Sequence, residues 1–254
     1  MNIGPMNLRY FAALLIFVPN ASCIAADPTN LPKIIQASPK FWETNVNPGN
    51  HKQISITFDQ SMKSGQTAWQ GRSSLPPEMN LETSVASPDR KTFQVDVSLQ
   101  PGRVYVLALN EKVAPNVGFQ NDQGTAAPPH FLVFQTSGDP APENTPPRLT
   151  KTVPNEDSQG IDPGKLEGIE LTFDKPMQKN KHGLHLFEGD KAIDLSKASF
   201  KYSSDGRTFS LSYNFKPSQD YRIELNNVSD VGFASISRVP LWPVQISFRT
   251  GLSK

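Results

Sequence analysis

Apolar and polar residues alternate with a period of two along much of this chain, and the alternation is written twice. Ile54, Ile56 and Phe58 interleave with Ser55 and Thr57, and Ile169, Leu171 and Phe173 interleave with Glu170 and Thr172. Successive side chains of a strand point to opposite faces, so each run predicts a strand with one buried and one wet face. Phe93, Val95 and Val97 against Gln94 and Asp96 predict another, and Tyr105, Leu107 and Leu109 one more. SPDRKT (87–92) and SSDGRT (203–208) carry the Asp and Gly chemistry of tight hairpin turns.

The repeat can be counted. Residues 39–62 align with 154–177 without a gap at an offset of 115, pairing ISITFDQSM (54–62) with IELTFDKPM (169–177). The offset becomes 116 where Asp89, Phe93, Val95, Pro101 and Tyr105 meet Asp205, Phe209, Leu211, Pro217 and Tyr221, then 114 where Val117-Gly118-Phe119 meets Val231-Gly232-Phe233. A drift of one or two residues is what loop-length changes between equivalent strands produce. SGDPAPENTPP (137–147) holds four prolines and no apolar periodicity, which predicts a semi-stiff extended linker. The expected organisation is domain 1 over 33–138, a Pro-rich linker over 139–147 and domain 2 over 148–251. About seven short strands in about 105 residues predict an all-β, Greek-key β-sandwich for each copy. A closed barrel is the alternative that periodicity leaves open.

Composition agrees: 23 prolines in 254 residues suit short strands and punctuated turns better than long helices. The start of the chain adds a destination. Arg9, an apolar run from Tyr10 to Val18 and a small-residue stretch ending Ala25-Ala26 read as a signal peptide over 1–26, hence export to the periplasm, cell envelope or exterior. A run of about nine residues is too short to span a bilayer. Cys23, the single cysteine, stands where a lipoprotein leader places its acylated residue, so lipidation there competes with cleavage near Ala25 or Ala26. Asn20 departs from the apolar residue usual at the start of a lipobox. Without Arg9 the 25 basic residues fall to 24, equal to the 24 acidic ones. That balance argues against a nucleic-acid or anionic-membrane partner.

The residues so far carry a family resemblance. Each copy resembles the bacterial immunoglobulin-like (Ig-like) domain of the S-layer protein SbsA type. The features are Ser38-Pro39 or Val153-Pro154, then Val46-Asn47-Pro48 or Ile161-Asp162-Pro163, the strand ending Phe58-Asp59 or Phe173-Asp174, the Asp-turn hairpin, the Pro-to-Tyr strand and a closing Phe-x-Thr. Before the last strand the family usually has Asp followed by Gly-Asn, whereas these copies have Asn121-Asp122-Gln123-Gly124 and Asp230-Val231-Gly232. The resemblance implies two tandem Ig-like sandwiches serving as an envelope spacer, scaffold or binding module.

Positions shared by both copies are expected to be framework. Tyr105 and Tyr221 are expected to bury their rings and bond back to upstream backbone, and Asp59 and Asp174 to satisfy turn amides. Function is expected where the copies differ. His182 and His185 form H-x-x-H near Glu188 and Asp190, a candidate metal pair opposed by Lys179, Lys181 and Lys191. Trp42, beside Phe41, and Trp69 occur only in copy one and are candidates for stacking on a sugar or docking on protein, with packing into the sandwich edge or against the neighbouring domain as the other reading. Trp242, between Pro240 and Pro243, reads as a cover over the second core, and loop 110–129 is long enough to form a binding surface. No nucleophile elbow, phosphate-cradling loop or shared histidine base is present in the sequence, and no cofactor is implied. The expectation is a non-catalytic exported scaffold or protein-interaction module with an envelope partner. The alternative is a carbohydrate- or peptidoglycan-binding accessory protein using the aromatics of domain 1. A hydrolase with a carboxylate site would need an acidic cleft between the domains.

Overall fold

A computed structural model describes residues 30–65, 67–111 and 118–252. The proposed leader and Cys23 lie outside the described residues. The first half runs β1 (Ile34–Ser38), β2 (Glu43–Val46), β3 (Gln53–Phe58), β4 (Trp69–Gly71), β5 (Glu78–Ala86), β6 (Thr92–Ser98), β7 (Val104–Leu109) and β8 (His130–Thr136). The second half runs β9 (Leu149–Val153), β10 (Gly168–Phe173), β11 (Leu184–Glu188), β12 (Lys191–Ala192), β13 (Phe200–Tyr202), β14 (Thr208–Ser212), β15 (Asp220–Leu225) and β16 (Val244–Arg249).

Each half forms two separate four-stranded sheets, ordered β1-β3-β6-β5 and β2-β8-β7-β4 in one, β9-β10-β14-β13 and β12-β11-β15-β16 in the other. These are sandwiches, and the barrel alternative falls. Each has its own interior: Ile54, Ile56, Phe58, Phe93 and Leu107 centre the first, and Leu171, Phe173, Phe209, Ile223 and Phe248 the second. Ring packing is dense, with Phe58, Phe93 and Phe119 mutually within 6.0 Å between centroids. Such geometry adds about 0.5–1.5 kcal/mol per pair beyond burial.

The duplicated framework residues make duplicated bonds. The Tyr105 hydroxyl accepts from the Gln100 amide at 2.9 Å, and the Tyr221 hydroxyl from the Lys216 amide at 2.9 Å. The closing threonines finish the same corner, Thr136 donating to the Gln100 carbonyl and Thr250 to the Lys216 carbonyl, each at 2.7 Å. Asp59 and Asp174 accept from the amides of Lys33 and Arg148, at the entry to the neighbouring edge strands. In the hairpins, Asp89 and Asp205 accept from the Ser87 and Ser203 hydroxyls, with Arg90 or Gly206 in the left-handed region.

One pair of framework residues is absent from the sequence expectations. Asn110 and Asn226 are buried in the left-handed conformation, with φ near 57° and 56°. The Asn226 amide donates to the carbonyls of Phe233 (2.9 Å) and Leu241 (2.8 Å), and its oxygen accepts from the Phe233 N–H (3.0 Å). Asn110 does the same with Phe119 and Ala127. A single side chain thus satisfies three buried backbone groups of the long loop before the last strand. The signal was present: Leu-Asn ends the Tyr-bearing strand in both copies.

The alternation expected for β7 holds only in copy two. In β15 the residues between Tyr221, Ile223 and Leu225 are Asp220, Arg222 and Glu224, and that strand has one wet face. In β7 the intervening residues are Val104, Val106 and Ala108, and all six positions are buried. A strand covered on both sides reads as a continuous apolar run. The cover is the other domain.

Candidate functional site

The most distinctive surface of the molecule is where the two sandwiches meet. Val104, Val106 and Val133, on the outer face of β7 and β8, cluster with Val231 and Val239 of the second domain, and Trp42, Phe131 and Trp242 close the cluster at its edges. Trp42 and Trp242 meet edge to face, with centroids 5.5 Å apart and planes at 67°. Among the described residues two hydrogen bonds cross the boundary. The Phe131 amide on β8 donates to the Val228 carbonyl at 2.7 Å, and the Ser74 hydroxyl donates to the Ser237 carbonyl at 2.7 Å. The second domain therefore docks through the loop joining β15 to β16, the segment held from inside by Asn226.

Copy two lacks the receiving face. At the equivalent places Trp42 becomes Asp157, Val104 becomes Asp220, Val106 becomes Arg222, Phe131 becomes Gln245 and Val133 becomes Ser247. Asp220 and Arg249 pair across the strands there, and Arg222 bonds Glu224 at 3.0 Å while lying 4.3 Å over the Phe187 ring. That is a solvated surface. Trp42 and Asp157 share a left-handed backbone, with φ of 61° and 57°. Asp tolerates that region, whereas a bulky residue there is strained and is kept where packing over-determines it.

Beside the apolar contact lies a cleft of about 790 Å³ between the domains, with Arg72, Glu111 and Phe131 on one side and Lys179, Lys181, His182, Asp230 and Arg238 on the other. Arg72 is held by Glu111 at 2.6 Å and by the Gln70 side-chain carbonyl at 2.8 Å. The Lys179 ammonium donates to the Ser204 carbonyl. The wall is mixed: Val106, Phe131, Val231 and Pro240 also line it.

Of the candidate histidines, His182 lines this cleft, while His185 does not and instead faces Asp230, which does. His182 packs edge-on to Phe200 at 4.7 Å and near Phe209, and its Nδ1 accepts from the Leu184 amide at 3.2 Å. Burial lowers its pKa, with Asp230 opposing. His185 has Nε2 3.4 Å from an Asp230 carboxylate oxygen, which raises its pKa against the effect of burial. At that separation the contact is an ion pair of loose geometry rather than a well-formed hydrogen bond. The other two histidines contact backbone, His51 the Asn47 carbonyl at 3.2 Å and His130 the Pro128 carbonyl at 3.0 Å. As a metal pair, His182 and His185 share Asp230 as a neighbour, but no group of three or more His, Cys, Asp or Glu positioned for a metal occurs among the described residues.

Both tryptophans of domain 1 are packed against protein. Trp69 is 5% exposed and stands edge-on to Phe119 inside the first core, centroids 5.5 Å apart, so it offers no face to a ligand. Its place at the start of the short edge strand β4 explains this, because the sheet end closes over the core there. Trp42 is a binding residue toward the neighbouring domain. Trp242 joins the inter-domain cluster instead of covering the second core. Of the long loops, the one in copy two docks; its counterpart, loop 110–129, anchors Phe119 and Ala127 in the first core. The linker residues also engage, with Lys175 donating to the Thr145 carbonyl at 2.9 Å and its hydroxyl at 2.6 Å.

Two Greek-key sandwiches with tyrosine corners, joined in series and docked, define a tandem Ig-like protein. Residues 28–136 and 143–250 each match the bacterial Ig-like domain, and the chain belongs to that family. A search of curated proteins found no match. Among solved structures, a titin Ig tandem is 13% identical, covering 88% of this chain and 97% of its own at a TM-score of 0.24. A chimeric titin tandem is 12% identical, covering 88% and 100% at a TM-score of 0.29. The N-terminal part of the bacterial S-layer protein SbsC is 12% identical, covering 87% of this chain and 45% of its own at a TM-score of 0.27. No helix among the described residues is long and apolar enough to cross a membrane.

Proposed function

We propose that this chain is a non-catalytic, exported module of the cell envelope in which two Ig-like domains act as one braced unit to hold or present a protein partner. The observation that carries the reading is the burial of the outer face of β7 and β8, with Val106 only 3% exposed beneath the second domain. A flexible pair of beads has no use for an apolar face matched to its neighbour, whereas a spacer that fixes the angle between two binding surfaces does. Inter-domain contacts within a chain are otherwise expected to be small and polar. The leader-like residues 1–26 and the likeness to SbsA-type domains support export and an envelope setting, with processing at Cys23 or after Ala25 or Ala26.

Small-angle scattering on the mature chain tests the brace. A compact two-domain particle whose dimensions do not change with salt is expected, and a broad distribution of inter-domain distances would defeat it. Intact-mass measurement of the chain recovered from cells tests export and distinguishes lipidation at Cys23 from simple cleavage. A partner captured from envelope extract must be lost when Trp42 or Val106 is changed if the fixed angle matters.

A further inference from the structure

We propose that the inter-domain cleft is a binding site for a small polyanion, a ligand bearing at least two carboxylate or phosphate groups, gripped by Lys179, Lys181 and Arg238 of the second domain against Arg72 of the first. The proposal rests on the docked arrangement, because the cleft takes one wall from each domain.

Charge is the first argument. The chain as a whole is near neutral, with a formal charge of +1, yet four of its cations converge on this one cavity with only Glu111 and Asp230 against them. Glu111 is committed to Arg72, forming a locally neutral pair. The Lys179 ammonium is bonded to a carbonyl, which fixes its position without cancelling its charge. Lys181 and Arg238 enter none of the ion pairs among the described residues. Asp230 is bonded to the Gly232 amide at 2.8 Å and faces the His185 ring. The local balance is therefore positive.

Shape and dielectric are the second. About 790 Å³ lies within the range of pockets that take small ligands. Apolar walls at Val106, Phe131 and Pro240 keep water from screening the cations fully, and a cleft of one sign with low-dielectric walls concentrates counter-charge. Arg238 supplies a planar fork that suits carboxylate or phosphate oxygens. It lies in a turn where its own backbone is left-handed, φ 63°, with its amide bonded to the Ser235 carbonyl at 2.8 Å. His182 adds a neutral donor: with Nδ1 accepting from Leu184, the ring proton sits on Nε2.

Titration calorimetry on the full mature chain at low ionic strength tests this, with inorganic pyrophosphate as the phosphate probe and a galacturonic acid oligomer as the carboxylate probe. Saturable binding of one or both is expected, and the preference between them tells a phosphate ligand from an acidic sugar. Lys181→Ala combined with Arg238→Ala should weaken binding at least tenfold, and Lys197→Ala, on the exposed surface elsewhere, should leave it unchanged. Val133→Arg, beneath the second domain but off the cleft wall, should open the docked pair and abolish binding, with scattering reporting the opening. The proposal is overturned if neither probe binds below millimolar concentration, if the double variant binds like the parent, or if Lys197→Ala weakens binding equally. A chain that is compact by scattering yet binds neither probe would sink the site and leave the brace standing.

Discussion

Val106 and Arg222 hold the same place in equivalent strands of the two domains, and one is buried under a neighbour while the other lies over the Phe187 ring in contact with water. The exchange of these two residue types separates a receiving face from a free one.

Copying the second domain's residue into the first should undock the tandem. In Val106→Arg a charge is forced beneath Val231 and Val239 with no partner, a cost of several kcal/mol that separation relieves. The radius of gyration should rise, and the emission of Trp42 and Trp242 should shift to the red, while both cores keep their cooperative unfolding. An unchanged scattering profile would show that the contact does not hold the domains.

Loss of the buried asparagine should cost more than an average core change. Asn226→Ala strands two carbonyls and one amide and leaves a residue with no polar side chain in a left-handed conformation. About 2–4 kcal/mol of domain 2 stability is expected to go, read from the urea midpoint with unchanged slope. Asn110→Ala should do the same to domain 1.

The tyrosine corners give a smaller, matched effect. Tyr105→Phe and Tyr221→Phe each remove one hydroxyl from a part-buried amide bond without making a cavity, which predicts about 0.5–1.5 kcal/mol apiece. Chemical denaturation of the two variants should give similar losses.

Acid titration should split the two histidines near Asp230. His185, raised by Asp230, is protonated more readily in the folded chain, so it contributes stability that is complete below its unfolded pKa of 6.5 and fades as pH climbs through the raised value. His182, lowered by burial, does the reverse: its contribution is present above pH 6.5 and is lost as pH falls toward its depressed value. Imidazole NMR should show His185 titrating at higher pH than His182, and Asp230→Asn should bring the two midpoints together.

Most of the architecture was legible because the side-chain period of a strand is two and the pattern occurs twice. The tyrosine corners followed from the paired Pro-to-Tyr spacing. The second face of β7 was not legible, because Tyr105, Leu107 and Leu109 satisfy the alternation and the apolar residues beside them do not say what covers them. For Trp69 the sequence left both a ligand face and edge packing open, because one aromatic beyond a strand carries no periodicity to show its side, and the core at β4 takes it. The cleft was not legible at all, because Arg72 and Arg238 stand 166 positions apart and meet only when the domains dock.

A sticky face on one domain and its matching loop on the other is the recipe for endless fibres, since each molecule can hand its loop to the next. Here the bond is satisfied within a single chain, and the far end shows only Asp157, Asp220 and Ser247 where another link would have to grip.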